Sequence, residues 1–557
     1  MKATLYRVLT AAGAMTAFAS GNLHAQNPAT TQPKDTVMNR TVVVEQEYIP
    51  EIKDAQKVNV LPQVAEPAVS KKEVQYDTTA SPATAIPVGT MPSYTALEAQ
   101  PSITPGYVRA GYGNYGNLDL LANYLFNLSK RDKLNARFGM NGMDGKLGEQ
   151  LPSTGKKWNA RYYRTQADVA YTHQFDKLDL HIGGDFGLSN FNFLPDGVNR
   201  KQKFTSGGLH AGVHSTDEAA PLRFSAEANL LLYGRQHGLV PNEELPPAGN
   251  LDETLLHTKL SVGGIISDKQ TITIGAEMNN FWYGGYAKNS YTALGLNPYY
   301  ELTNDDWRLH VGAHVDLSLG FDKLLHVAPD VTAQYLFSDS YVLYAQATGG
   351  KQINDFRRLE TLCPYGEFST RPYDTYEQLN AQLGFKASPF PGIWFNVFGG
   401  YQNLKNDLAS IILETENLHS LRFVQGHTDN FYLGGKVSYE YKDLFSLSAA
   451  YTYRSWNAKS NDLLLAMKPV SEASLNLGIH PISALRLNVG FDYLGRKGVL
   501  NYKVVAVSDL HADVSYYLFK GVSVYARLHN LLNKKYSYYL DYPTEGLNFL
   551  GGLSFRF

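Results

Sequence analysis

From Gly106 onward, apolar and polar residues alternate with period two in one segment after another. In the segment 178–188, Leu178, Leu180, Ile182, Phe186 and Leu188 share one face, and Asp179, His181 and Asp185 share the other. Leu222, Phe224, Ala226, Ala228 and Leu230 oppose Arg223, Ser225, Glu227 and Asn229 in the same way. Ile272, Ile274, Ala276 and Met278 oppose Thr271, Thr273 and Glu277, and Phe445, Leu447, Ala449, Tyr451 and Tyr453 oppose Ser446, Ser448, Thr452 and Arg454. Successive strand side chains point to opposite faces, so each segment predicts a strand with one apolar and one polar side.

A soluble sandwich shows the same alternation, but its strands run to about 5 or 6 residues. These segments run to about 9–15, the length a tilted membrane strand needs. The connections also alternate in length. Short ones, rich in Asp, Asn, Ser, Pro or Gly, fall at 128–132, 176–177, 216–218, 267–269, 303–305, 338–339, 389–392, 442–443, 481–483 and 520–521. Longer links lie around 143–158, 190–203, 234–250, 284–294, 352–374, 403–428, 456–467 and 495–503. Outer-membrane barrels have short periplasmic turns and long outer loops. The pattern therefore predicts an all-β fold, a transmembrane antiparallel barrel of about 22 strands with both ends in the periplasm. The final segment fits, with Leu547, Phe549, Leu553, Phe555 and Phe557 alternating against Asn548, Ser554 and Arg556. Phe549, Leu553, Phe555 and the terminal Phe557 resemble the C-terminal signal read by outer-membrane insertion machinery.

The front of the chain differs. Lys2 and Arg7 precede a small or apolar stretch over 8–19, and Leu23-His24-Ala25 ends in a small residue, so 1–25 reads as a signal peptide. Residues 26–104 carry recurrent prolines among Thr, Ala, Val and Glu, a composition that builds no packed core. This stretch is expected to be an extended periplasmic segment, leaving 105–557 as the barrel. Past the signal no run of 18 apolar residues occurs, so no membrane-spanning helix is expected.

Composition sharpens this picture only a little. Of 557 residues, 18% are charged, below the ~25% usual for soluble domains. The chain carries 38 Tyr against 5 Trp, which suits a membrane-interface belt; Tyr162, Tyr163, Tyr451, Tyr453, Tyr516, Tyr517, Tyr538 and Tyr539 are its expected members. A net charge near −2 points to neither a nucleic-acid surface nor an acidic tail. Cys363 stands alone, with no disulfide partner and no metal cluster to join.

The last ninety or so residues resemble the end of a TonB-dependent receptor barrel. Tyr525-Ala526-Arg527-Leu528-His529-Asn530-Leu531-Leu532-Asn533-Lys534-Lys535-Tyr536 is similar to that family's penultimate strand, and Leu510–Tyr516 to the strand before it. Tyr542-Pro543-Thr544-Glu545-Gly546-Leu547-Asn548-Phe549 resembles the approach to its last strand, with Leu547 where the family often has Arg. Thr41, Val42, Val43 and Val44 resemble a TonB box, a β-branched stretch able to add a strand to a partner's sheet. The same stretch suits another periplasmic partner. The family's folded plug has no counterpart in the short, Pro-rich run between Val44 and Gly106.

No catalytic, cofactor-binding or metal motif stands out, and the chain is not expected to be an enzyme. His181 and His314 lie on polar strand faces, where water solvates them. Charges such as Asp179, Asp185, Arg223, Glu227 and Glu277 mark the lumen, because a Lys or Arg at mid-depth on the lipid face costs about 2–4 kcal/mol. The loop 352–374 combines arginines with aromatics, making Arg357, Arg358, Tyr365, Arg371 and Tyr373 candidate ligand contacts. The stretch 403–428 predicts a hairpin, either standing above the membrane or folded into the pore. Three functions remain open: transport of a solute or nutrient, a structural or assembly role with the tail docking a partner, and a barrel enzyme. The expected partners are outer-membrane lipid, the insertion machinery, and TonB or another envelope protein, with no nucleic acid.

Overall fold

The computed structural model describes residues 104–150, 157–194, 201–217, 220–236, 251–284, 290–320, 325–337, 340–367, 372–415, 418–459, 461–498 and 504–557. The expected signal peptide, the Pro-rich segment and Thr41–Val44 lie outside them. The strands follow in order as β1 (Gly106–Gly113), β2 (Leu118–Asn127), β3 (Asp132–Gln150), β4 (Lys157–Gln174), β5 (Leu178–Asn192) and β6 (Lys201–Ser215). Next come β7 (Leu222–Arg235), β8 (Leu251–Ser267), β9 (Gln270–Gly284), β10 (Tyr291–Thr303), β11 (Trp307–Leu319), β12 (Leu325–Phe337) and β13 (Tyr341–Gln352). A short helix α1 (Phe356–Leu362) and a two-residue strand β14 (Gly366–Glu367) precede β15 (Thr375–Ala387), β16 (Ile393–Thr415), β17 (Leu418–Tyr441) and β18 (Phe445–Ala458). The chain ends with β19 (Pro469–Ile482), β20 (Leu485–Arg496), β21 (Val507–Phe519), β22 (Val522–His529) and β23 (Asn548–Arg556).

Apart from β14, each strand pairs antiparallel with its neighbours in sequence, and β1 pairs with β23 from Tyr107↔Arg556 to Gly113↔Leu550. The result is a closed 22-strand barrel. Closure satisfies the edge strands that would otherwise stand open, and that requirement is absolute in lipid. Eight of the ten expected short turns lie wholly among the described residues, and these fall at the end of the barrel shared by both chain ends of the wall. Near the seam the wall is low: β1 and β22 have 8 residues each, whereas β16 and β17 have 23 and 24.

The outward face is apolar. Leu383, Val397, Leu433, Tyr451 and Tyr453 are exposed there, as are Phe549, Leu553, Phe555 and Phe557 of the last strand. Asn548 and Ser554 of that strand point inward and are buried. The seam is fastened on the lumen side. Arg109 and Arg527 both pair with Asp119, and the Tyr525 hydroxyl donates to the same carboxylate at 3.2 Å. Tyr525 reaches across β23 because Gly552 has no side chain; a Cβ there would come within 2.7 Å of the Tyr525 ring.

Candidate functional site: the outer mouth of the lumen

Inward-facing residues change character with height. On β5, Asp179, His181 and Asp185 are followed by Phe191; on β7, Arg223, Glu227 and Asn229 are followed by Tyr233. On β9, Thr271, Thr273 and Glu277 lead up to Phe281 and Tyr283. These aromatics join Trp158, Tyr162, Phe193, Phe204 and Tyr291 in one buried cluster. A wet channel would leave them exposed. They are buried because the outer loops fold inward onto them.

The chief of these loops joins β13 to β15, and its described residues are 353–367 and 372–374. Its helix α1 is capped by Asp355, whose side chain accepts from the Arg358 backbone N–H at 2.8 Å. Phe356, Leu359 and Cys363 are at most 1% exposed, packed in the aromatic cluster. Polar anchors fix α1 to the wall. Glu360 accepts from the Ser189 hydroxyl at 2.9 Å and the Tyr233 hydroxyl at 2.7 Å, with Arg164 at 3.5 Å. Glu253 of β8 accepts the Phe356 backbone N–H at 3.2 Å, and Arg235 of β7 donates to the Gly366 carbonyl at 2.9 Å. The loop leaves the wall between β13 and β15 and is held by β4–β8, so it spans the lumen.

Two further segments complete the closure. The β16–β17 hairpin kinks at Asn406, which has φ 52°, a conformation Asn tolerates better than most residues. The Asn406 carbonyl accepts from the Thr375 hydroxyl at 2.9 Å and from Gln425 at 3.0 Å, which pins the kink to the root of the loop. Beyond it, Leu408, Ile411 and Leu421 are buried against the same core, and β14 adds to β17 in parallel through Gly366↔Leu421. The hairpin therefore folds over the pore, the second of its two expected placements. From the other side, the segment after β22 delivers Tyr539, Leu540 and Tyr542 to the cluster. The Tyr542 ring stacks on Tyr365 at 3.7 Å between centroids and 11° between planes.

Of the candidate loop contacts, Tyr365 is buried at the centre of this closure. Arg357 donates to the Gly207 carbonyl at 3.1 Å, and Arg358 to Gln352 Oε1 at 2.7 Å, so both serve to seat the loop. Tyr373 is half exposed, its backbone bridged to Gln425. Arg371 lies outside the described residues. Tyr162 and Tyr539, expected in the membrane-interface belt, are instead lumen core. Glu253, Glu360 and Arg235 were not legible as anchors. The available signal was the aromatic residue at the outer, inward-facing end of consecutive strands.

Burial sets the chemistry of the closure. It pushes the Cys363 thiol up to about 12, which leaves an inert thiol rather than a nucleophile. Burial likewise raises the Tyr365 and Tyr542 phenols above their ordinary value. In the last loop, burial raises Glu545 from 4.5 to about 8, although Asn117 and Asn548 donate to it.

No family model and no curated protein matches this chain. Among solved structures, its fold is similar to the copper transporter OprC, with TM-score 0.63 and 12% identity over 82% of this chain and 81% of that one. It is similar to the FrpB iron transporter of Neisseria meningitidis, with TM-score 0.63 and 11% identity over 82% of each chain. The siderophore receptor PirA of Acinetobacter baumannii aligns with TM-score 0.63 and 10% identity over 81% of this chain and 80% of that one. At such identities the likeness speaks to fold, and the fold here is an outer-membrane β-barrel like that of the TonB-dependent receptors.

Proposed function

We propose that the chain is a transport barrel that carries a nutrient across the outer membrane, closed on the outer side by its own loops. The observation that carries this reading is the placement of α1 across the lumen, tied through Glu360 to Ser189 and Tyr233. A 22-strand wall encloses a wide lumen unless something fills it. The aromatic cluster fills it at the outer end, where a solute arrives. The anchors are few and local, so a ligand at the mouth can exchange contacts with them. The fold neighbours named as a copper transporter, an iron transporter and a siderophore receptor support a metal-bearing nutrient as the class of cargo. Thr41–Val44 would supply the strand that pairs with TonB on the periplasmic side.

Planar-bilayer conductance tests the closure. The intact protein should pass little current, and replacing 353–372 with a short Gly-Ser linker should open large steps. Deleting 27–100 should leave the current near the intact level, since the mouth stays closed. If that tail deletion alone opens the pore, the tail and not the loop is the barrier. Growth on a single metal source tests transport: deletion of the chain, and separately of 39–46, should slow it. If growth is unaffected while the chain co-purifies stoichiometrically with other envelope proteins, the assembly role replaces transport.

A further inference from the structure

The tripeptide Asp-Leu-His occurs twice in inward-outward-inward register, as Asp179-Leu180-His181 on β5 and Asp509-Leu510-His511 on β21. In each, period two turns Leu toward lipid and sends Asp and His into the lumen. In each, the next strand contributes a second histidine. His214 stands opposite Asp179 in the ladder, and its ring stacks on His181 at 5.1 Å. His529 stacks on His511 at 5.4 Å. Every triad member offers one donor atom within 4.8 Å of the others.

The β21 triad is the more completely built. Asp492 of β20 stands opposite Asp509, and its Oδ2 lies 3.7 Å from His511 Nδ1. That separation is too long for a hydrogen bond. Among the described residues His511 Nδ1 is buried with no hydrogen-bond partner, so an imidazole nitrogen is withdrawn from water and aimed among carboxylates without a direct bond. Asp509 is oriented by the Asn530 backbone N–H at 2.6 Å and faces His529 Nδ1 at 3.2 Å. The strand opposite His511 is bare. A Cβ at Gly490 would fall 2.1 Å from His511 Nε2, so the ring occupies the space that glycine leaves. A chain of ordinary His–Asp pairs would account for His529 and Asp509 but leaves His511 Nδ1 unexplained.

We propose that Asp509, His511 and His529, with Asp492, bind a divalent transition-metal ion on the lumen wall. Two imidazoles with carboxylates form a donor set for Zn, Fe, Ni or Cu, whereas Mg and Ca take all-oxygen sets. Ligand bonds of about 2.0–2.2 Å require the donors to close by roughly an ångström, which side-chain rotation supplies. Asn530 begins the segment that carries Tyr539 and Tyr542 into the mouth, so the ion would brace the root of that segment. The site stands independently of whether the barrel transports anything.

The test is calorimetric titration of the full-length, chelator-stripped protein in detergent with Zn²⁺, and with Mg²⁺ in parallel. Folding of each variant is checked by the mobility difference between heated and unheated samples in gels. One Zn²⁺ site should be lost or weakened at least about tenfold in His511→Ala. It should also weaken in Gly490→Ala, which displaces the ring without removing a donor, and persist in His181→Ala. Should His511→Ala fail to fold, His529→Gln replaces it with the same expectation. Unchanged Zn²⁺ affinity in a folded His511 or His529 variant overturns the proposal. So does loss of the site in His181→Ala, or Mg²⁺ binding as tight as Zn²⁺.

Discussion

Along β5 the lower lumen is lined by Asp179, His181 and Asp185, and a few residues higher on the same face Phe191 is buried among Tyr162, Phe204 and Tyr365. Both regions are built from one set of strands with one inward parity. The lower one is water-facing, and its ion pairs are partly exposed; His210 and Asp185 are 39% and 26% accessible in their side chains. The upper one is a protein core, with Glu360 as its principal polar anchor. The contrast teaches that a lumen is not a single environment. Where the chain returns loops to the mouth, inward positions obey the rules of a packed interior; where it does not, they obey those of a surface.

The largest test of that contrast is Tyr365→Ala. Removing a ring packed against Trp158, Phe191 and Tyr542 should cost about 3–5 kcal/mol in urea unfolding from lipid vesicles, as a core cavity does. A cost no greater than that of a lower-lumen change would dissolve the distinction. Glu360→Ala comes next. It strands the Ser189 and Tyr233 hydroxyls without their acceptor, so a loss of about 1.5–3 kcal/mol is expected, together with flickering conductance as α1 loosens. A stable, silent variant would show that α1 is held by packing alone.

Glu545 provides a pH-dependent test of the mouth. Its folded value is raised by burial from 4.5 to about 8, so the folded state holds the proton more tightly than the unfolded chain. The stability it contributes is full below about pH 4.5 and is lost as pH rises through 8. Glu545→Gln should flatten that part of the stability profile, and an unaltered slope between pH 5 and 8 would place its cause elsewhere. The smallest effect belongs to the lower lumen. His210→Ala should change stability by less than about 1 kcal/mol, since its pairing with Asp185 is screened by water. A loss comparable to that of Tyr365→Ala would mean the lower lumen is also packed.

Much of the wall was legible because the alternation 178–188, 222–230 and 445–454 is enforced locally: one side chain to lipid, the next to the lumen. The turns were legible for the same reason, as residues such as Asp176-Lys177 and Lys442-Asp443 bend the chain without distant help. The closure was not. Arg357, Arg358 and Tyr365 carry the composition of an exposed binding loop, and only their partners on other strands turn them into anchors and core. Tyr162 and Tyr539 read as interface tyrosines because an aromatic near a strand end looks alike on either face. Asp179 and His181 read as solvated lumen residues, and the grouping around His511 was not legible at all, since His529 and Asp492 reach it only through neighbouring strands.

By itself the sequence determined the barrel, its strand number to within about two, its handling of lipid and water, and the end at which both termini of the wall lie. These follow from period-two patterning and turn residues, which act within a few positions of each other. Only the tertiary structure decided that α1, the β16–β17 hairpin and the 538–542 segment pack into one core at the outer end of the lumen. Contacts such as Glu360 with Ser189, 171 positions apart, leave no periodic trace in the chain, because their energy is realised only once the wall has closed around them.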